Sequence, residues 1–199
     1  MGHSEKVLIM KVFLTVLVLI FSFQSWTKAD DISDFQIEGM NIGVSLLNHM
    51  TVDEIKQSIL PYFDDKRKYY IILKSNNLKI YDRLEIYLKS DDSDYLITGI
   101  NAGLFPKNLK KCLDKKNEIV NNIEDSLSIK FREFDEKHNL YINTTLYSSV
   151  FYFGNDYIRI NCVYYDDKDK KIHKTPLLDN LNVSVYTSEI NNWFASGYE

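Results

Sequence analysis

The residues that could do chemistry here are two cysteines, four histidines and a few closely spaced carboxylates. Cys112 and Cys162 offer thiols for nucleophilic chemistry or for a crosslink. His49 or His138 would be the base for either thiol. His3, His49, His138 and His173 are scattered, whereas a metal site needs clustered His, Cys or carboxylate ligands at short spacing. No metal or cofactor is therefore expected. Asp91, Asp92 and Asp94 form one acidic cluster, and Asp166, Asp167 and Asp169 a second. Neither has the loop glycine or the terminal glutamate of a calcium hand, so both read as solvated turns. The chain contains no Gly-x-Ser-x-Gly elbow and no phosphate-cradling glycine loop. Asp82, Glu85 and Asp94 are the carboxylates from which a hydrolytic site would be built, with no pair singled out by spacing. Asn143-Thr144-Thr145 and Asn182-Val183-Ser184 match the glycosylation sequon, as an Asn-rich chain does by chance.

The two thiols sit in elements that would bury them. From Lys107 to Ser128, the residues Leu109, Cys112, Leu113, Ile119, Val120, Ile123 and Leu127 recur at three- and four-residue steps, which places them on one helical face. From Tyr157 to Tyr165, Ile158, Ile160, Cys162 and Tyr164 alternate with Tyr157, Arg159, Asn161 and Val163, the pleat of a strand. If this helix packs on this strand, the two sulfurs meet from facing surfaces, and a Cys112–Cys162 disulfide staples helix to sheet. The competing expectation is two separate buried thiols acting as small hydrophobes.

The remaining elements follow from punctuation and alternation. Ser45 starts a short helix, and Thr51 with Glu54 has capping-box spacing, so a second helix should run from Val52 to about Leu60, where Pro61 closes it. Tyr69–Leu73 is rich in strand formers, and Leu84, Ile86 and Leu88 alternate with polar neighbours. Tyr95–Phe105 begins as a strand and loosens through Gly99 and Gly103. Lys130–Phe134 and Tyr141–Phe153 come after the long helix. Gly154-Asn155-Asp156 turns a hairpin into Tyr157–Tyr165, and Asp166–Lys171 reads as a charged loop. Leu181, Val183 and Val185 mark a last strand, and Glu189–Phe194 a terminal helix. Segregated runs of helices and strands specify an α+β fold, a mainly antiparallel sheet packed against one long helix and two short N-terminal helices.

The N-terminus reads as an export signal, with an uncleaved N-terminal anchor as the alternative. Val12–Phe23 is uncharged, about as long as a signal-peptide apolar region and shorter than the ~20 residues of a membrane span. Lys11 precedes it and Ala29 offers a small residue for cleavage, so residues 1–29 are assigned to a signal peptide and 30–199 to one α+β domain. Met10 reads as the true start, with 1–9 an upstream extension. Residues 30–199 carry 21 basic and 27 acidic side chains, a net charge of −6. Such a balance excludes a nucleic-acid partner held by a basic stripe. With 14 Tyr and 11 Phe against 7 Gly and 3 Pro, the chain can fill a core.

The box Ile37-Glu38-Gly39-Met40-Asn41-Ile42-Gly43-Val44-Ser45-Leu46-Leu47 and the stretch Cys112-Leu113-Asp114-Lys115-Lys116-Asn117-Glu118-Ile119 resemble small exported proteins of AT-rich alphaproteobacterial genomes. That resemblance implies export, to the periplasm or beyond, and a shared fold. It lends no catalytic residues. A remoter similarity is to envelope modules in which a Gly-Met turn opens a two-helix, several-strand unit that binds other proteins. Tyr147, Tyr152, Tyr157, Tyr164 and Tyr165 fit a Tyr-rich wet sheet face, with Tyr147, Tyr152, Tyr157 and Tyr165 as the candidate binding face. Ordinary strand propensity, since Tyr fits a half-buried strand, is the favoured explanation of these tyrosines. The leading expectation is a non-catalytic envelope protein that binds a protein or surface component through its sheet, with no stable membrane span after signal cleavage. The alternative is a periplasmic hydrolase with a dispersed carboxylate site.

Overall fold

The computed structural model describes residues 31–60, 68–127, 129–138, 143–172 and 177–197, the side chains of 133–138, 169 and 172 excepted. The expected signal segment, its cleavage position at Ala29 and the helix stop at Pro61 lie outside the described residues. Among those described, no helix is long and apolar enough to cross a membrane.

Seven strands form one antiparallel sheet: β1 (Tyr69–Lys74), β2 (Arg83–Lys89), β3 (Ile97–Leu104), β4 (Arg132–His138), β5 (Thr144–Phe153), β6 (Asp156–Tyr165) and β7 (Asn180–Tyr186). Their spatial order is β1-β2-β3-β7-β6-β5-β4. Two meanders, β1-β2-β3 and β4-β5-β6, are therefore joined edge to edge by the last strand. The helices are α1 (Val52–Gln57), α2 (Leu109–Leu127), α3 (Asp167–Ile172) and α4 (Ser188–Ala195). The architecture is α+β.

Local chemistry explains most of the boundaries. The Thr51–Glu54 capping box opens α1, with Glu54 Oε2 accepting from Thr51 N at 2.7 Å. The helix ends at Gln57, because the chain leaves it to pair with the sheet edge: Leu60 N donates to Ile71 O and Leu73 N to Ser58 O. The short helix expected at Ser45 is a single 3-10 turn, Leu46–Asn48, capped by the Ser45 side chain. Gly154 takes a φ of +63° in the two-residue β5–β6 turn. The expected charged loop at Asp166–Lys171 is a helix instead. Asp166 caps α3 through Lys168 N (2.8 Å), and Lys170 pairs with Asp167 one turn away.

One face of the sheet carries the main core. The buried stripe of α2 is Cys112, Lys116, Val120, Ile123 and Leu127. It packs with Ile158, Ile160, Cys162, Leu181, Val183 and Val185 of β6 and β7. Leu109, Leu113 and Ile119 flank the stripe, half buried. The N-terminal segment joins the same core through Ile37, Met40, Leu46 and Ile55. Cys112 and Cys162 are bonded across this interface with their Cα atoms 5.9 Å apart, so the first turn of α2 is tied to the middle of β6. The Ile37-to-Leu47 box has a local reason. Glu38 and Gly39 both take positive φ, 53° and 80°, in a tight turn closed by Ile37 and Met40. The turn aims the Glu38 carboxylate at a loop, where it accepts N–H bonds from Lys79, Ile80 and Tyr81 at 2.8, 2.7 and 3.0 Å. Burial alone would raise this carboxyl's pKa, but the three backbone donors outweigh it and hold the group below its ordinary range.

Candidate binding face

On the second face of the sheet, strand register sorts side chains into rows that run across the strands. The first row is Ile71, Tyr87, Gly99, Tyr186, Tyr157 and Tyr152. Helix α4 docks on this row through Ile190, Trp193 and Phe194. Tyr87 and Tyr186 meet edge to face at 5.5 Å above Gly99, and Phe194 contacts both at 5.5 and 5.2 Å. A Cβ at Gly99 would lie 3.0 Å from Tyr186 Cδ1, so the glycine keeps space for the two rings rather than loosening the strand. Burial raises the phenol pKa of Tyr87, Tyr186 and Tyr157, with the Arg159 charge opposing it at Tyr157. Glu189, in the first turn of α4, ties the helix down by ion pairs to Lys68 at 3.1 Å and Lys89 at 2.9 Å.

Helix α4 packs over this end of the face. The next row is Leu73, Glu85, Asn101, Ser184, Arg159, Val150 and Arg132, and the one after it begins Arg83, Gly103, Asn182, Asn161, Ser148. These rows are polar in mid-sheet. Glu85 Oε2 accepts from Asn101 Nδ2 at 2.9 Å, Asn101 Oδ1 accepts from Ser184 Oγ at 2.9 Å, and Asn182 Nδ2 donates to Asn180 Oδ1 at 2.7 Å. Arg83 lies flat across Gly103, its Nε 2.8 Å from where a Cβ would stand. Four buried side-chain atoms here lack a hydrogen-bond partner: Arg83 Nε, Arg159 Nε, Asn161 Oδ1 and Asn182 Oδ1. Buried polar atoms are usually paired, so their concentration on one face is notable.

The four candidate tyrosines do not share this surface. Tyr147 pairs in register with Cys162 and packs against the main core, on the opposite face. Tyr157 faces α4 and is 6% exposed, so it is a buried packing residue. Tyr165 lies at the far end of the β5–β6 hairpin, its backbone N held by Asp179 at 3.0 Å. Tyr164 points to the core side, with Lys170 over its ring at 4.6 Å. Tyr152 alone is broadly exposed, at 47%, and sits beside Tyr157 with ring centroids 6.5 Å apart. The face that sequence reasoning missed is carried by Arg83, Arg132, Arg159, Asn101, Asn161 and Asn182. Its available signal was the alternation of Arg159 and Asn161 against Ile158, Ile160 and Cys162.

The other candidate chemistries are not assembled. Asp82 and Asp94 lie at opposite ends of β2, some 25 Å apart at the rise of a strand, and Glu85 is engaged with Asn101 and Arg83. Asp82 accepts from Phe105 N at 2.9 Å. Asp92 accepts from the backbone of Asp94 and Leu96, both at 2.9 Å, which makes it a turn-former. His49 is exposed after the 3-10 turn, and both cysteines are consumed in their mutual bond. No group of three or more metal-ligating side chains occurs among the described residues. A groove of about 590 Å³ opens at the start of α2, beside Lys107, Lys111 and Tyr164. Two of its lysines are already neutralised, Lys110 by Asp114 at 2.8 Å and Lys170 by Asp179 at 2.7 Å. No protein-family model, curated protein or solved structure matches this chain.

Proposed function

We propose that this protein is an exported, non-catalytic binding module whose working surface is the part of the second sheet face that α4 leaves open. The observation that carries this reading is the polar shelf itself. Rows of Arg, Asn, Ser and Glu occupy the middle strands of a seven-stranded sheet, where an unused face would be solvated at random or covered by a helix. The amide oxygens and guanidinium nitrogens that lack a partner are buried, so an added partner would satisfy them only as these side chains rearrange. Export is supported by the Lys11 and Val12–Phe23 pattern and by the buried Cys112–Cys162 bond, since such bonds persist in oxidising compartments.

Site-specific photo-crosslinking in the producing cell tests the reading. A crosslinking residue at Asn161 or Asn182 should give a discrete adduct from the periplasmic or secreted fraction. The same residue at Asn117, exposed on the far side of α2, should give none. Adducts from Asn117 alone, or full-length protein retained in the cytoplasm, would overturn the proposal.

A further inference from the structure

We infer that the corner of the open face formed by Arg132, Tyr152, Tyr157 and Arg159 docks an acidic protein segment through its Asp or Glu carboxylates; this rests on the open face being the working surface. The chain has four arginines against twenty lysines. The three described arginines, Arg83, Arg132 and Arg159, all lie on this one face. Each guanidinium is stacked on a ring: Arg83 on Phe105 at 5.5 Å, Arg132 on Tyr152 at 5.5 Å and Arg159 on Tyr157 at 5.1 Å. Stacking fixes the plane of the group, and a fixed guanidinium plane suits a two-pronged carboxylate contact, which a lysine cannot make. Arg83 is partly neutralised by Glu85 at 3.7 Å. Arg132 and Arg159 form no ion pair among the described residues.

Register sets the geometry. Arg132 and Arg159 both pair with Val150, so they stand two strand spacings apart, about 10 Å. Val150 between them is fully buried. On a chain of net charge −4, two preoriented guanidinium groups without an ion pair among the described residues form a local positive corner, which steers and orients an oppositely charged partner. The chemistry favours a polypeptide over an acidic glycan. A sugar stacks on an open aromatic ring, whereas Tyr157 is buried and Tyr152 carries Arg132 over its ring.

The test is fluorescence anisotropy of a short labelled oligo-glutamate peptide against the mature protein at low ionic strength. Binding is expected to weaken with added salt, to fall about ten-fold in Arg132→Lys or Arg159→Lys, and to vanish in the double Arg-to-Ala variant, with unchanged thermal melts. Absent binding by the unsubstituted protein, or equal binding by the double variant, would overturn the inference. Tighter arginine-dependent binding of polygalacturonate would assign the corner to an acidic glycan instead. If the peptide fails while crosslinking from Asn161 succeeds, the acidic partner is wrong and the working surface stands. If both fail, the surface itself is wrong.

Discussion

Replacing Glu38 by glutamine tests whether one carboxylate organises the N-terminal box. Its two oxygens accept three backbone N–H groups, and Ile80 and Tyr81 share Oε1. A hydrogen bond to a charged acceptor contributes roughly 1.5–3 kcal/mol against about 1 kcal/mol for a neutral one. Glutamine keeps one acceptor oxygen and loses the charge, so a loss of about 2 kcal/mol is expected. For a domain of this size that lowers Tm by about 4–8 °C. Glu38→Gly separates side chain from backbone. It relieves a left-handed residue, worth about 1–2 kcal/mol, yet loses all three acceptor contacts. Glu38→Ala loses the same contacts without that relief and should be the least stable of the three. The pH dependence has a definite sign. The folded pKa lies below the ordinary value, so the stabilisation is full above pH ~4.3–4.5 and is lost as pH falls through the folded pKa. The gap between wild type and Glu38→Gln, measured by calorimetry, should therefore close in acid. A Glu38→Gly variant as stable as wild type, or a gap that persists at low pH, would refute the reasoning.

Other outcomes follow from the same geometry. Removing the Cys112–Cys162 bond by a double alanine substitution opens a 50-residue loop, and the chain-entropy model gives a loss of about 4 kcal/mol in denaturant melts; an unchanged midpoint would contradict it. Lys89 first, and then Lys68 and Tyr69, pull the Glu189 carboxyl down to about 2 against burial. Its contribution is present above the ordinary carboxyl pKa and lost as pH falls toward 2. The group is 42% exposed and screened, so the contribution stays under about 1 kcal/mol and should appear as an acid-induced change in Trp193 fluorescence that Glu189→Gln abolishes. Gly99→Ala forces a methyl against the Tyr186 and Tyr87 rings and should cost about 1–3 kcal/mol in a melt. In Gly103→Ala the methyl meets the Arg83 side chain at Nε, Cγ and Cδ and must push it off its place against Phe105, so a loss of about 1 kcal/mol is expected.

What the sequence showed was what local periodicity carries. The stripe through Cys112, Val120 and Ile123, the alternation of Ile158, Ile160 and Cys162, and the Thr51–Glu54 box each need only a few neighbouring residues. Lys116 falls on the buried stripe one turn after Cys112, yet its type argued for solvent. The Asp167–Ile172 helix depends on the Asp166 cap and one ion pair within it, which composition alone disguised as a loop. The polar rows of the second face were hidden for a different reason. Arg83, Arg132 and Arg159 each alternate correctly within their own strand, but only register across β2, β3, β7, β6, β5 and β4 puts them on one surface. That register is closed by β7, which pairs with residues about eighty positions earlier. Tyr157 likewise passed from wet face to core because α4 folds back over it, a contact no local pattern encodes.

The most direct test of the proposed binding face is a side-chain-resolved NMR titration of residues 30–199 with the partner recovered from the Asn161 crosslink. The Nε–H resonances of Arg83 and Arg159 and the Nδ2 amides of Asn101, Asn161 and Asn182 should shift together and saturably. Resonances from the exposed side of α2, such as the Asn117 and Asn122 amides, should stay in place. Shifts confined to α2 or to the groove beside Lys107 and Lys111, with the arginine and asparagine signals unmoved, would contradict the assignment of the open sheet face as the working surface.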